Sequence, residues 1–125
     1  MAHQTIDEFK AEREALTELT LARASLEIKR FFNLDSQAYR AGALPTRTKE
    51  LLGLVASMVL RCDDCVFYHL DRCHDEGVAD DELQEAMSIA LVVGGSIVIP
   101  HLRRAVRAWE ELTAGDQSPV GRESG

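Results

Sequence analysis

Between Arg47 and Leu60 the chain carries Leu51, Leu52, Leu54, Val55, Met58 and Val59 among small residues, so a helix here is apolar around most of its circumference. Such a helix has little polar face to turn to water, and it belongs at the centre of a bundle or at a subunit contact. Thr46 is placed to cap its start, and Gly42 and Pro45 end whatever precedes it. Only Arg47, Lys49 and Glu50 are charged before Arg61, which makes Glu50 the one carboxylate bordering the apolar run.

The flanking patterns are also helical. From Thr5 to about Asn33, residues Ala15, Leu16, Leu19, Ala22 and Leu26 repeat at spacings of three and four, and Thr5 with Glu8 forms a capping box. A break is expected between Glu18 and Leu21, where Thr17 and Thr20 weaken helix propensity. A second helix then carries Leu26, Phe31, Phe32, Leu34, Ala38 and Tyr39 to about Arg40. A helix from about Asp63 to Glu76 stops at Gly77, and Asp80 or its neighbour caps the next. That next helix buries Leu83, Ala86, Met87, Ala90, Leu91 and Val93 before Gly94-Gly95 breaks the chain. Ser96 caps a last helix, Ile97 to Leu112, with Pro100 in its first turn and Ile99, Leu102, Val106 and Trp109 on one face. Val92-Val93 and Ile97-Val98-Ile99 suit short strands by composition, but they stand isolated among helical patterns. The expected fold is all-α: a compact five- to six-helix bundle around a central hairpin of Arg47–Leu60 and Asp63–Glu76. Residues 1–113 form one domain and residues 114–125, rich in Gly, Ser and charge, a disordered tail.

The net charge of -7 over 125 residues argues against nucleic acid or an anionic membrane as partner, since both select a basic footprint. No run approaches the roughly 20 apolar residues that cross a bilayer. The start, Met-Ala-His-Gln-Thr-Ile-Asp-Glu, lacks the features of a signal peptide, so a cytoplasmic location is expected. Three cysteines in such a setting point to redox or metal chemistry rather than a disulfide framework.

The reactive stretch is Cys62-Asp63-Asp64-Cys65-Val66-Phe67-Tyr68-His69. With Cys62 opening a helix, Cys65 and His69 follow about one and two turns along it. Unpaired amides at the helix start favour a thiolate, the species that carries cysteine chemistry. CxxC spacing also occurs in zinc sites, with Cys73 and His74 as the further ligands here. Cys65 and Cys73 are about 12 Å apart by rise alone, however, and one helix wraps a tetrahedral ion poorly. No metal is therefore expected. No bound cofactor is expected either, because Gly94-Gly95 lacks the strand and the glycine pattern of a dinucleotide site. His69 can accept or relay a thiol proton near neutral pH. Asp63 and Asp64 oppose ionisation of the thiols, against the helix dipole.

Glu50, then Cys62-x-x-Cys65-x-x-x-His69, then Gly77, then a helix ending in Gly94-Gly95 resembles the AhpD-like (alkylhydroperoxidase) branch of the carboxymuconolactone decarboxylase family, over roughly Leu19 to Leu112. The resemblance implies an all-α unit that assembles into trimers or hexamers. It implies a reversible Cys62–Cys65 disulfide that reduces hydroperoxides or other disulfides, with Glu50 and His69 as proton relay and a separate dithiol as reductant. Asp64 stands where that branch often has a histidine. Cys73 and His101 lie outside the pattern; Cys73 is a candidate third partner in exchange, although a buried small hydrophobe is the commoner fate of such a cysteine, and His101 reaches the cleft if the last helix lines it. In the expected mechanism Cys65 attacks and Cys62 resolves the sulfenic acid to the disulfide. The alternatives are a cofactor-free decarboxylase or lactone-handling enzyme, which needs no cysteine pair, and a non-enzymatic oligomeric partner-binding protein with ordinary thiols.

Overall fold

The computed structural model describes residues 3–116. Thr5 accepts from the Glu8 amide and the Glu8 carboxylate accepts from the Thr5 amide, so the capping box opens α1, Ile6–Arg23. The break expected between Glu18 and Leu21 comes later, at Ala24-Ser25. Neither Thr17 nor Thr20 interrupts the helix, and the Thr20 hydroxyl donates back to the Leu16 carbonyl at 2.7 Å. Ser25 accepts from the Ile28 amide and starts α2, Leu26–Ala38. The remaining helices are α3 (Thr46–Val59), α4 (Asp63–Asp75), α5 (Asp80–Gly94) and α6 (Ile99–Asp116), with one 3-10 turn at Ser96–Val98. Among the described residues there is no strand, so the β-rich stretches at Val92 and Ile97 are helical or turn.

Several boundaries move by a residue or more. Pro45, not Thr46, occupies the cap of α3, whereas α5 is capped by Ala79, the neighbour of Asp80, as expected, with Glu82 accepting from its amide at 2.9 Å. The last helix starts at Ile99 and continues to Asp116, so residues 114–116 of the expected tail are helical, and the rest of that tail lies outside the described residues.

The core is the α3–α4 hairpin, with α5 packed on α3, and α6 on α4. Leu54, Met58, Val66, Leu70, Cys73, Leu83, Met87, Ala90, Val98 and Ala105 are fully or almost fully buried in one cluster. The buried faces differ from the expected ones at their edges. Val93 is exposed, and α6 turns Ala105, Ala108, Trp109 and Leu112 inward rather than Ile99 and Val106. In α1 only Ile6 and Phe9 are buried, leaving Leu16 and Leu19 exposed, and α2 buries no residue. No helix among the described residues is long and apolar enough to cross a membrane.

The hairpin turn decides where the cysteines sit. Arg61 has φ +60, the left-handed region usually left to glycine. Its amide donates to the Met58 carbonyl and that of Cys62 to the Ser57 carbonyl, both at 3.0 Å. This is a Schellman ending, and it closes α3 in the same step that presents Cys62 as the cap of α4. The end of α4 repeats the pattern at Gly77 (φ +75), with the Val78 amide on the Cys73 carbonyl. Leu54, fully buried where α3 packs on the bundle, makes a direct check of this core. Leu54→Ala is expected to cost about 2–5 kcal/mol in a urea titration.

Candidate active site

At the head of α4, Cys62 Sγ accepts from the Cys65 amide at 3.3 Å, taking the place of a capping oxygen. Cys62 and Cys65 are joined by a disulfide, their Cα atoms 5.3 Å apart. Cys65 is exposed and Cys62 half-buried. A pocket of about 220 Å³ opens on Cys65, lined by Asp64, Tyr68 and His69 of α4, Arg13 of α1 and Asp35 of α2.

Behind that pocket lies a chain of polar contacts reaching into the core. His69, one turn beyond Cys65, is 7% exposed, and its Nδ1 is 2.9 Å from Glu50 Oε1. Glu50 is 2% exposed. Its second oxygen, Oε2, is 3.5 Å from Arg72 Nε, on the same face of α4 as His69. A buried carboxylate is tolerated only when charge and hydrogen bonds compensate it, and here one imidazole and one guanidinium do so. Burial opposes the Arg72 charge, but Glu50, Asp75 and Glu76 outweigh it and raise its pKa.

The other ring nitrogen of His69 meets a residue that the motif did not signal. Tyr39, the C-cap of α2, brings its hydroxyl to 3.4 Å from Nε2. Tyr68 packs edge-on to the same imidazole, with Arg13 3.9 Å above the Tyr68 ring. Burial, reinforced by nearby carboxylates, raises both phenol pKa values, so each remains a neutral hydroxyl near pH 7. Gly53 makes the cluster fit. A Cβ there would lie 2.6 Å from His69 Cε1, 2.7 Å from Nε2 and 2.8 Å from the Tyr39 oxygen. The signal for Arg72 was its three-residue step from His69. Tyr39 and Gly53 gave none, because their partners are remote in sequence.

The two acids beside the cysteines differ in environment. Asp63 accepts from His101 Nδ1 at 2.7 Å and from Arg104 Nε at 2.8 Å, so α6 compensates its charge. Asp64 is exposed at the pocket rim, where solvent weakens its effect. Thus His101 engages Asp63. Cys73 is a free thiol with no exposed surface, and burial, with Glu50 nearby, pushes its pKa up to about 12. His74, the other residue weighed as a zinc ligand, pairs with Asp116 at 2.7 Å. Among the described residues no group of three or more His, Cys, Asp and Glu side chains is placed to hold a metal ion.

The sequence profile of the carboxymuconolactone decarboxylase family matches residues 28–111, which hold this whole cluster apart from Arg13. The chain belongs to the carboxymuconolactone decarboxylase family. One crystal structure of a Thermotoga maritima protein is 61% identical and superposes with a TM-score of 0.86, covering 88% of this chain and 96% of that one. A second crystal structure of that same protein, a member of this family, is 60% identical with a TM-score of 0.84, covering 88% of this chain and 93% of that one. For that protein a role in antioxidative response has been suggested. A Legionella pneumophila member at 21% identity and a TM-score of 0.79, covering 86% of this chain and 96% of that one, shares the fold. An uncharacterised protein of the cox locus of Paracoccus denitrificans is 28% identical over 98 residues, 78% of this chain and 87% of that one.

Two outcomes test this geometry. Gly53→Ala is expected to drive His69 and Tyr39 apart, seen as a shift of the His69 ring resonances and a loss of about 1–3 kcal/mol in stability. Reduced native protein is expected to take up alkylating reagent at Cys62 and Cys65 but at Cys73 only after unfolding. The stability contributed by neutral Cys73 is complete below the unfolded thiol value near 9 and is lost as pH rises towards 12, because the unfolded thiol ionises first.

Proposed function

We propose that this family member is a thiol-dependent peroxidase or disulfide oxidoreductase of the AhpD-like kind, working through Cys62 and Cys65 with Glu50 and His69 as proton relay. The observation that supports this reading best is the Cys62–Cys65 disulfide at a helix start, opening on the same pocket as His69, with Glu50 buried behind it. The antioxidative role suggested for the Thermotoga maritima relative agrees with it.

Cys65 is the attacking thiol in this mechanism, because it is the exposed member of the pair and lines the pocket. Its thiolate attacks the terminal oxygen of a hydroperoxide; an S–O bond forms, the O–O bond breaks, and the alkoxide leaves as alcohol after taking a proton from His69. Cys62, as thiolate, attacks the sulfenic sulfur. The S–S bond forms and the hydroxide leaves as water, with the second proton supplied through the relay. With a disulfide substrate, Cys65 attacks one sulfur and the other leaves as a thiolate; Cys62 then attacks Cys65 Sγ in the mixed disulfide, closing the Cys62–Cys65 bond and releasing the second substrate thiolate. A separate dithiol returns the pair to the reduced form. Glu50 and Arg72 hold the imidazole in place while its charge changes. Cys73 has no step, since its thiol stays protonated and sealed in the core.

The same reading assembles the chain into a trimer or hexamer. Its support is an apolar groove of about 670 Å³ between α3 and α5, lined by Leu52, Val55, Val59, Leu60, Ile89 and Val93, together with the unburied Leu26, Phe31 and Leu34 of α2.

Peroxide added to reduced protein is expected to lower the chain mass by about 2 Da, with the disulfide mapping to Cys62 and Cys65. Cys65→Ser is expected to abolish turnover with tert-butyl hydroperoxide and a dithiol, and Glu50→Gln to lower it at least tenfold. Full peroxidase activity in Cys65→Ser, or lactone turnover that survives loss of both cysteines, would refute this reading.

A further inference from the structure

Tyr39 belongs to a helix that buries none of its residues, yet its hydroxyl is held against the most buried part of the site. Three features fix it there. Lys49 Nζ donates to the Ala38 and Arg40 carbonyls at 2.9 and 2.7 Å, gripping the backbone on either side of Tyr39. Gly53 leaves open the space that the imidazole and the hydroxyl share. The Tyr39 and His69 rings pack with centroids 5.3 Å apart. Lys49 and Glu50 are neighbours on α3, so one turn of helix secures both partners of the contact. Lys49 holds the tyrosine's backbone, and Glu50 holds the histidine's Nδ1.

We infer that Tyr39 is a positioning residue for His69, its hydroxyl pairing with Nε2 so as to favour the imidazolium that forms when Cys65 gives up its proton. The inference rests on the dithiol reading above and adds to the relay a residue from a different helix. With Nδ1–H donated to Glu50, neutral His69 turns the Nε2 lone pair to the Tyr39 hydroxyl. Once Nε2 is protonated, the hydroxyl rotates and its oxygen accepts from N–H. That charge-assisted bond is roughly twice as strong as the neutral one it replaces, so the contact stabilises the charged ring more than the neutral ring. The other groups around the imidazole are Glu50 of α3, Tyr68, Arg72 and Asp64 of α4, Asp35 of α2, and Arg13 of α1, which lies over Tyr68. Tyr39 is the group at Nε2. It stays protonated as the ring changes charge, because burial, then the charges of Asp35 and Glu50, raise its pKa.

The test follows iodoacetamide alkylation of reduced Cys65 by mass spectrometry across about pH 5 to 9. It compares the wild type with Tyr39→Phe, Lys49→Met and His69→Asn, each with a thermal melt. Tyr39→Phe is expected to move the alkylation midpoint upward by about half a unit to one unit. At pH well below the midpoint the rate then falls about three- to tenfold, while the plateau at high pH stays unchanged. Lys49→Met moves the midpoint the same way by less. A Tyr39→Phe midpoint equal to that of the wild type overturns the inference. So does a uniformly lower rate at every pH with the midpoint unmoved, which is what a merely structural tyrosine would give. Failure of the dithiol reading looks different: the wild-type profile would then be that of an ordinary thiol, insensitive to His69→Asn.

Discussion

A carboxylate with 2% of its surface exposed governs how the rest of this protein is arranged. Stripped of its water, Glu50 carries a penalty of several kcal/mol, which partners in good geometry must offset. His69 and Arg72 supply them, both from α4, so the packing of α3 on α4 is fixed in register as well as in contact. A slip of one residue along either helix would leave the charge unpaired in the core, which is worse than never burying it. The hairpin turn serves that register. Arg61 accepts a left-handed conformation, at a cost of about 1–2 kcal/mol for a side-chain-bearing residue, so that α3 can end and α4 begin within three residues.

The cysteines inherit their setting from this arrangement. Cys62 stands at the point where four backbone amides lack helical partners, and Cys65 lies within the first turn. Two adjacent acids there argue against thiolate formation when read as bare charges. The fold changes that balance, because Asp63 is tied by His101 and Arg104 of α6. The acids still free to act on the thiols are Asp64, beside Cys65, and Asp35 across the pocket, and both are exposed to water, whose high dielectric weakens their effect. Local field and tertiary ion pair thus work in one direction.

The outer helices follow a different logic. With no buried residue of its own, α2 owes its place to end contacts: Lys49 on its last carbonyls and Tyr39 on His69. Stability is therefore uneven, highest in the α3–α4–α5 core and lowest in α2, where few apolar contacts resist local opening. Asp35, which walls the pocket, sits on this less anchored helix, while Arg13 comes from α1.

The α3–α4 hairpin, the helical class and the pairing of Cys62 with Cys65 were legible from residue order, because each depends on spacings of three or four that a helix converts directly into proximity. The cap at Thr5 is legible for the same reason, whereas the break comes at Ala24-Ser25 and not between Glu18 and Leu21, because weak propensity at Thr17 and Thr20 does not by itself end a helix and the Ser25 cap does. The inward face of α6 and the exposure of Val93 depart from the apolar pattern, because hydrophobicity alone does not show which side of a helix meets a neighbour: Ala105 and Ala108 are buried while Ile99, Val106 and Val93 are exposed. Glu50 could be singled out as the one acid beside an apolar run, but nothing in a linear string shows which side of a helix meets which neighbour. That Glu50 touches His69, that Tyr39 closes the other side of the ring, that Gly53 leaves room for both and that α6 neutralises Asp63 were all decided by packing between helices. Local order sets periodicity and caps, which act over a few residues. Contacts 14 to 41 positions apart depend on how whole helices settle against one another, and only the folded chain specifies that.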